Sequence, residues 1–223
     1  LSEKGATVAV IDVNEETARR TADQLSGQAS AHACDVSDGP SVERTFAGIV
    51  SRWGRVDVLV NNAGIGQAPG DGFDVYQEQL GQRIAEMQRG ETPTTFADHT
   101  IHMGDDGWRK VLSVTLDGTF HCCREALRVM SRDGTAGTIV NVSSTSAYSG
   151  EGGAHYCAAK AGVLGLTRSL AEEVGPRGIR VNAVVPGPTL TPVMDGIPDE
   201  WRRSMANSSP LGRMAQPEEI AGA

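Results

Sequence analysis

The sequence predicts an α/β fold in which helices cover both faces of a doubly wound, parallel sheet. Short β-branched runs typical of buried strands alternate with amphipathic helical segments, which is the pattern of β-α-β units. The chain has 223 residues, which suits one domain with a full core. Polar residues directly follow the strands, where such sheets bind ligands. We therefore predict a single domain over residues 1–223, with strands at 6–11, 29–34, 56–60, 138–142 and 179–185.

Helices are predicted between these strands. Asn14 can cap a helix that continues to residue 25. The segment 41–53 has an apolar face, and the Ala- and Leu-rich segment 158–174 predicts a further helix. Another helix begins at Asp105 or Asp106. Its apolar residues recur every three or four positions, so we expect a buried stripe made of Trp108, Val111, Leu112, Leu116, Phe120, Cys123, Leu127 and Met130.

Composition excludes several classes of protein. The chain has 20 Lys and Arg against 28 Asp and Glu, a net charge of −8 without a basic block, so we expect no nucleic-acid partner. No apolar run is long enough to span a membrane, and no secretory signal is visible. The 4 cysteines lack metal-ligand or disulfide spacing, which favours a cytoplasmic location. The 5 histidines are scattered, so we predict no metal site.

The stretch from Ser143 to Lys160 contains the strongest candidates for catalysis. Tyr156 and Lys160 are four positions apart near the start of a helix, on one face. A Tyr has a pKa of about 10, and a neighbouring cation lowers it toward the range useful for acid-base chemistry. The Ser144 hydroxyl can bind the same substrate oxygen. The alternative is a surface Tyr and Lys beside a Ser-rich loop.

Residues at the predicted strand ends indicate a dinucleotide site. Asp12 ends the first strand, where a carboxylate accepts hydrogen bonds from an adenosine ribose and repels a 2′-phosphate. No Arg follows it immediately, which favours NAD over NADP. Asp35 ends the second strand, and either Asp can instead be a cap or turn residue. The turn at 186–188 leaves backbone bare where a flat ring can approach.

Taken together, these landmarks resemble the short-chain dehydrogenase/reductase family. The resemblance covers the chain apart from one insert, and the motifs occur in the family's order. They are Asp35-Val36, Asn61-Asn-Ala-Gly64, Ser143-Ser144, Tyr156-x-x-x-Lys160, Arg180-Val-Asn182, Pro186-Gly187 followed by Thr191, Pro210-Leu-Gly-Arg213 and Pro217-Glu-Glu-Ile220.

The resemblance implies a Rossmann-like fold and hydride transfer between the nicotinamide of NAD and a secondary alcohol or ketone. It makes Tyr156 the acid-base residue, with Lys160 lowering its pKa and holding the nicotinamide ribose. Ser144 orients the substrate carbonyl, and Ser143 remains an alternative. Together with the strand-end analysis, it gives as cofactor-binding residues Asp12, Val13, Asp35, Val36, Asn62, Ala63, Gly64, Tyr156, Lys160, Pro186, Gly187, Thr189 and Thr191. It also implies a homodimer or homotetramer packed through the helices of Trp108 and Tyr156.

Two departures from the family pattern bear on function. The Gly-rich turn that binds pyrophosphate has no counterpart, so we expect that the first strand of the family fold is absent from this chain. The sequence also stops short of the family's last strand, so we expect the C-terminal end of the fold to be absent as well. The family's Asn in the proton relay is replaced by Thr115, which keeps a hydroxyl. Both departures motivate an alternative, a non-catalytic dinucleotide-binding or scaffold protein.

Two segments are predicted to lie near the substrate. The insert at about 67–106 is longer than ordinary loops and contains a helical stripe at 74–89. This insert is a surface helix that folds back on the domain, or it has a function, as a cap over the substrate site or as an oligomer contact. The segment at about 188–215 has the length of a substrate lid. Its apolar residues suggest an alcohol or ketone with an apolar body.

Overall fold

The computed structural model describes residues 1–134, 136–197 and 199–223, and it confirms the α/β fold. The described strands are β1 (Val8–Asp12), β2 (Ala29–Ala33), β3 (Val58–Asn61), β4 (Thr138–Val142) and β5 (Arg180–Val184). The helices are α1 (Glu15–Asp23), α2 (Gly39–Trp53), α3 (Phe73–Gln88), α4 (Asp105–Leu112), α5 (Gly118–Asp133), α6 (Ser146–Ser149), α7 (Ala154–Val174), α8 (Asp199–Ser208) and α9 (Pro217–Ala221). Every predicted strand is present, and none of the helices described is long and apolar enough to cross a membrane.

All strand pairings are parallel, but the strands form two separate sheets. One sheet pairs β1 with β2, and the other has the order β3-β4-β5. Within the described residues, β1 and β3 therefore each have one neighbouring strand. Val58 and Val60 on β3 are 45% and 47% exposed. The carboxyl ends of β3, β4 and β5 lie side by side, and this edge positions the candidate site.

The hydrophobic core lies between the three-stranded sheet and its helices. Side chains from α2 and α5 meet the strands, and the end of α7 closes the cluster. Its members are Cys34, Val42, Phe46, Leu59, Cys122, Cys123, Ala126, Met130, Ile139, Val174, Ile179 and Val181. Burial raises the pKa of both the Cys122 and Cys123 thiols to about 12, so these cysteines pack as apolar residues.

The predicted buried stripe is wrong at two aromatic residues. Val111, Cys123 and Met130 are buried, but Trp108 is 37% exposed and Phe120 is 42% exposed. A π turn over Ser113–Asp117 joins α4 to α5. Each of these aromatic residues lies three positions before a buried residue, Val111 or Cys123, which is about 60° away around the helix and places both rings at the edge of the buried face. The oligomer contact expected on this helix stays a prediction.

The insert contains the helix predicted at 74–89, observed as α3. The chain folds back along this helix: Glu86 accepts hydrogen bonds from the backbone N–H and hydroxyl groups of Thr94 and Thr95. These hydrogen bonds lower the pKa of Glu86 to about 2, and those from the Thr95 hydroxyl and backbone N–H contribute most. Arg83 donates to the Thr95 carbonyl at 2.9 Å. No residue of α3 is buried, so the helix lies at the surface.

The segment at 188–215 is more regular than expected. It contains a 3₁₀ turn over Pro192–Gly196 and the helix α8. Asp199 and Glu200 lie in the first turn of α8, where acidic side chains stabilise a helix. Thr189 and Ala215 form a parallel bridge, so the two ends of the segment lie together. Its role as a lid stays a prediction.

A buried polar network joins β3, β4 and α7 below the site. Asn141 is fully buried, accepts a hydrogen bond from Asn61 at 2.9 Å and donates one to Thr167 at 2.9 Å. Asn61 also donates to the Cys123 sulfur at 3.2 Å. Buried polar groups stabilise a fold when they are fully paired and destabilise it strongly when one partner is lost.

We therefore expect Asn141→Ala to destabilise the fold. The substitution removes one of the buried hydrogen-bond partners of the Asn61 amide and one of those of the Thr167 hydroxyl, at a cost of about 2–4 kcal/mol in the free energy of unfolding. Urea unfolding followed by circular dichroism measures this change. The exposed Asn62 provides the control, since Asn62→Ala should change stability by less than about 0.5 kcal/mol. Equal effects of the two substitutions would contradict the network's role.

Candidate active site

The candidate catalytic pair lies where α7 crosses the ends of β4 and β5. Tyr156 is in the first turn of α7, and Lys160 follows one turn later. The Lys160 ammonium nitrogen Nζ lies 5.8 Å from the centre of the Tyr156 ring and donates to the Val142 carbonyl at 2.7 Å. The predicted placement of both side chains on one helical face is therefore observed.

Lys160 is 5% exposed, and its environment alters its charge. Burial lowers the pKa of Lys160 to about 8, because the ammonium loses its hydration. At pH 7 the group remains mostly protonated. A cation therefore lies beside the Tyr156 ring at neutral pH, as the acid-base hypothesis requires.

The two adjacent serines at the end of β4 have different roles. The Ser143 hydroxyl donates to the Lys160 carbonyl at 2.8 Å, and the side chain is buried. It joins the strand to α7. The half-buried Ser144 hydroxyl is near the start of α6, where it donates to the Ser146 hydroxyl at 3.1 Å and accepts the Ser146 N–H. The Ser143 hydroxyl is thus engaged within the fold, and the role of Ser144 as the substrate-facing hydroxyl stays a prediction.

Thr115 lies in the π turn between α4 and α5 and is 1% exposed. Its hydroxyl donates to the Ile65 carbonyl at 3.1 Å and accepts the Ile65 N–H at 3.0 Å. It therefore fixes the loop after β3 to the helix. A Cβ built on Gly64 would lie 3.4 Å from both Thr115 Oγ1 and Lys160 Nζ. The loop backbone, the predicted relay hydroxyl and the ammonium thus meet at one point.

Other predicted cofactor residues lie at the same edge. Asn62, Ala63 and Gly64 follow β3 and are exposed, so their backbone is accessible to a ligand. The Pro186 carbonyl accepts the Thr145 N–H at 3.0 Å, which joins the loop after β5 to the loop after β4. The remaining two predicted residues, Thr189 and Thr191, follow Gly187. The Thr189 hydroxyl donates to the Gly187 carbonyl at 3.0 Å.

The first two strand ends are on the separate sheet. Asp12 accepts the Asn14 N–H through Oδ1 at 2.8 Å, and Val13 is 72% exposed. Asp12 therefore has the turn role considered as an alternative. Within the part of the chain that the structure describes, its second oxygen has no protein donor. It is oriented by the turn and available to a ribose hydroxyl.

Asp35 is more strongly engaged by its own turn. It accepts hydrogen bonds from the Ser37 hydroxyl at 2.6 Å and the Ser37 N–H at 2.9 Å, and Lys110 lies 3.7 Å away. The Ser37 hydroxyl is the main reason that the pKa of Asp35 is lowered. The Val36 carbonyl faces His121 Nδ1 at 2.9 Å, and its side chain packs on Gly118. Contact of Asp35 and Val36 with adenine stays a prediction.

The sequence analysis did not identify a buried connection between the insert and the first turn of α7. Asp71 and His155 are 4% and 0% exposed, and Asp71 Oδ2 lies 3.2 Å from His155 Nε2. Tyr156 donates its N–H to His155 Nδ1 at 2.7 Å. The two residues are 84 positions apart. No local spacing signals such a contact.

The low pKa of Lys160 predicts a pH-dependent contribution to stability. Between pH about 8 and the usual value of 10.5, the unfolded chain binds more protons at this residue than the folded chain. Stability from this group therefore rises with pH in that window. Relative to Lys160→Met, the wild-type protein should gain up to about 3 kcal/mol between pH 8 and 10.5.

Chemical unfolding of both proteins across this pH range measures the gain. Lys4→Met is the matched control, because the Lys4 side chain is exposed. The difference in free energy of unfolding between this variant and wild type should not change with pH. A flat difference for Lys160→Met as well would show that the ammonium is not desolvated in the fold.

Comparison with known proteins agrees with the fold. A family model described as short chain dehydrogenase matches residues 1–201. The 3-oxoacyl-[acyl-carrier-protein] reductase FabG of Thermotoga maritima is 33% identical over 99% of this chain and 79% of its own length. The cis-4-hydroxycyclohexanecarboxylate dehydrogenase of Sinomonas cyclohexanicum is 37% identical over 100% of this chain and 79% of its own length.

A solved structure supports the same assignment. The crystal structure of a short-chain type dehydrogenase/reductase from Mycobacterium marinum superposes with a TM-score of 0.81 at 27% identity. The match covers 99% of this chain and 78% of that protein. The predicted Rossmann-like fold is thereby confirmed. The chain belongs to the short-chain dehydrogenase/reductase family.

Proposed function

We propose that the protein is an NAD(H)-dependent oxidoreductase acting on a secondary alcohol or ketone, with Tyr156 as the acid-base residue. The observation that carries this proposal is the buried Lys160 ammonium 5.8 Å from the Tyr156 ring. Burying a cation is unfavourable, and buried charged groups with shifted pKa values are concentrated at functional sites. Family membership supports the general class of oxidoreductase.

The residues present fit a bound nicotinamide dinucleotide. The exposed backbone of 62–64 passes close to Lys160, because Gly64 has no Cβ to separate them. Three ammonium protons are available on Lys160, and the Val142 carbonyl takes one, which leaves donors for ribose hydroxyls. NAD, when bound, supplies or accepts the hydride.

The chain's own residues would manage the proton. In the reductive direction, Tyr156 Oη donates its proton to the oxygen of the substrate carbonyl, and in the oxidative direction it accepts the proton of the alcohol. The Lys160 cation stabilises the resulting phenolate. Ser144 donates a hydrogen bond to the same substrate oxygen and holds it toward Tyr156. Thr115 fixes the loop that borders this space.

The proposed substrate has an apolar body. The predicted lid at 188–215 has three exposed aliphatic side chains. They are Leu190, Val193 and Leu211, which are 41%, 77% and 76% exposed. Exposed aliphatic side chains in a segment with the length of a substrate lid favour a ligand that covers them. One relative named above acts on a hydroxycyclohexanecarboxylate according to its name, and we propose cyclic alcohols and their ketones as the first substrates to test.

Replacing Tyr156 with Phe tests the acid-base role. The substitution removes the proton donor while keeping the ring, so kcat should fall by about 10²- to 10⁴-fold. NADH binding, followed by nicotinamide fluorescence, should change little. Tyr148→Phe is the matched control, since Tyr148 is 73% exposed on the preceding helix α6, and the turnover of this variant should equal that of wild type.

Two outcomes would contradict the proposal. Wild-type turnover in Tyr156→Phe would exclude Tyr156 as the acid-base residue. NADH binding without turnover of any secondary alcohol or ketone by wild type would favour the alternative, a non-catalytic dinucleotide-binding protein.

The preference for NAD depends on the carboxylate of Asp12. It would accept ribose hydroxyls and repel a 2′-phosphate, so NADH should bind at least about tenfold more tightly than NADPH. Asp12→Asn removes the charge and should narrow this ratio, chiefly by tightening NADPH binding. The exposed Asp23 at the end of α1 provides the control, as Asp23→Asn should leave the ratio unchanged. Tighter binding of NADPH by wild type would contradict the assignment.

A further inference from the structure

We propose that Asp71, His99 and His155 form a binding site for a divalent transition metal of the zinc class. One carboxylate oxygen and one imidazole nitrogen from each His lie within 4.8 Å of one another. The sequence predicts no metal site because local spacing is absent. The fold supplies the spacing instead, by bringing the insert against the first turn of α7.

The second observation is an unsatisfied nitrogen on His99. Among the described residues, His99 Nε2 is the buried side-chain nitrogen or oxygen that has no hydrogen-bond partner. A buried imidazole nitrogen without a partner is destabilising, and each such atom in a native structure needs an explanation. A metal ion that accepts its lone pair provides one.

The rings are held in place around this nitrogen. His99 packs against Phe73 and Tyr76 with ring centres 5.9 Å and 5.6 Å away, and it meets His155 edge-on at 5.6 Å. A Cβ on Gly153 would lie 2.5 Å from His155 Cε1 and 2.8 Å from His99 Cε1. Both imidazoles therefore converge because residue 153 is a glycine.

The spacing of Asp71 and His155 suits coordination. Two ligands bound tetrahedrally at about 2.0 Å are about 3.3 Å apart. The 3.2 Å between Asp71 Oδ2 and His155 Nε2 matches that edge, whereas a charge-assisted hydrogen bond is usually about 2.7–2.9 Å long. Asp71 is also fixed by the N–H groups of Ala68 at 2.9 Å and Phe73 at 3.0 Å. Backbone donors of this kind orient a carboxylate ligand.

The donor set selects the class of metal. Two imidazoles and one carboxylate suit Zn²⁺, Co²⁺, Ni²⁺ and Cu²⁺, while Mg²⁺ and Ca²⁺ prefer oxygen ligands throughout. Three protein ligands leave a coordination position for water or another small ligand. The site is thus separate in chemistry from the Tyr156–Lys160 pair, although it adjoins the same helix turn.

Metal binding must rearrange the protons of His155. In the metal-free protein, Nδ1 accepts the Tyr156 N–H at 2.7 Å, so a neutral ring carries its proton on Nε2. Coordination through Nε2 requires the lone pair of that nitrogen, and the proton moves to Nδ1. The contact between Nδ1 and the Tyr156 N–H then opens, because two N–H groups face each other. The Tyr156 amide is therefore a direct reporter of metal binding.

Cobalt(II) titration of the full chain tests the site. Visible d–d absorption of a four- or five-coordinate complex should appear in the wild-type protein and disappear when Zn²⁺ is added. His99→Asn should weaken Co²⁺ binding by more than about tenfold. His102→Asn is the matched control, since His102 is an exposed His of the same segment, and it should bind Co²⁺ like wild type. At saturation with Zn²⁺, the ¹⁵N–¹H signal of Tyr156 should shift.

Several outcomes would overturn the proposal, and none depends on enzymatic activity. They are the absence of d–d bands in wild type, equal weakening by His99→Asn and His102→Asn, and an unmoved Tyr156 amide at Zn²⁺ saturation. Thiolate-to-cobalt charge-transfer bands that vanish in Cys157→Ser would place the ion on the half-buried Cys157 instead.

Discussion

The hydrogen bond from the Lys160 ammonium to the Val142 carbonyl is the contact on which the candidate site depends. It brings a charge to the end of β4 in a place that is almost closed to water, and the resulting desolvation lowers the pKa of the lysine. Desolvation of this charge destabilises the folded state, whereas a buried apolar side chain at the same position would carry no such penalty. Ser143, which binds the Lys160 carbonyl, joins the same helix turn to the strand a second time. Two hydrogen bonds thus hold this turn of α7 against the end of β4.

Much of this arrangement follows from local sequence patterns. The β-branched runs identify the strands because a residue such as Ile139 needs burial on a pleated surface. The four-residue spacing of Tyr156 and Lys160 places both on one helical face, as the periodicity of the α-helix requires. The polar residues after β3 and β4 meet at one edge because parallel strands all end on the same side of a sheet. The α/β fold and the placement of Tyr156 and Lys160 on one face of α7 were thus predictable.

Features that depend on distant contacts were not predictable. Ser143 and Ser144 are chemically equivalent in sequence, and only the position of α7 decides which hydroxyl is buried. Phe120 keeps a helical spacing from the buried residues, but it lies at the edge of the buried face of α5, where distant packing decides whether a side chain is covered. The contact of Asp71 with His155 spans 84 positions. Helical periodicity carries no information about any of these.

The insert supports the first turn of α7. In its contact with α7, His155 uses one ring nitrogen toward Asp71 and the other toward the N–H of Tyr156. An imidazole has two nitrogens and, when neutral, one proton, so a change of partner on one side forces a change on the other. A ligand that binds Asp71 and His155 therefore acts on the backbone N–H of Tyr156. The insert, which the sequence leaves as a surface helix, a cap or an oligomer contact, is linked to the backbone of Tyr156 through this single ring.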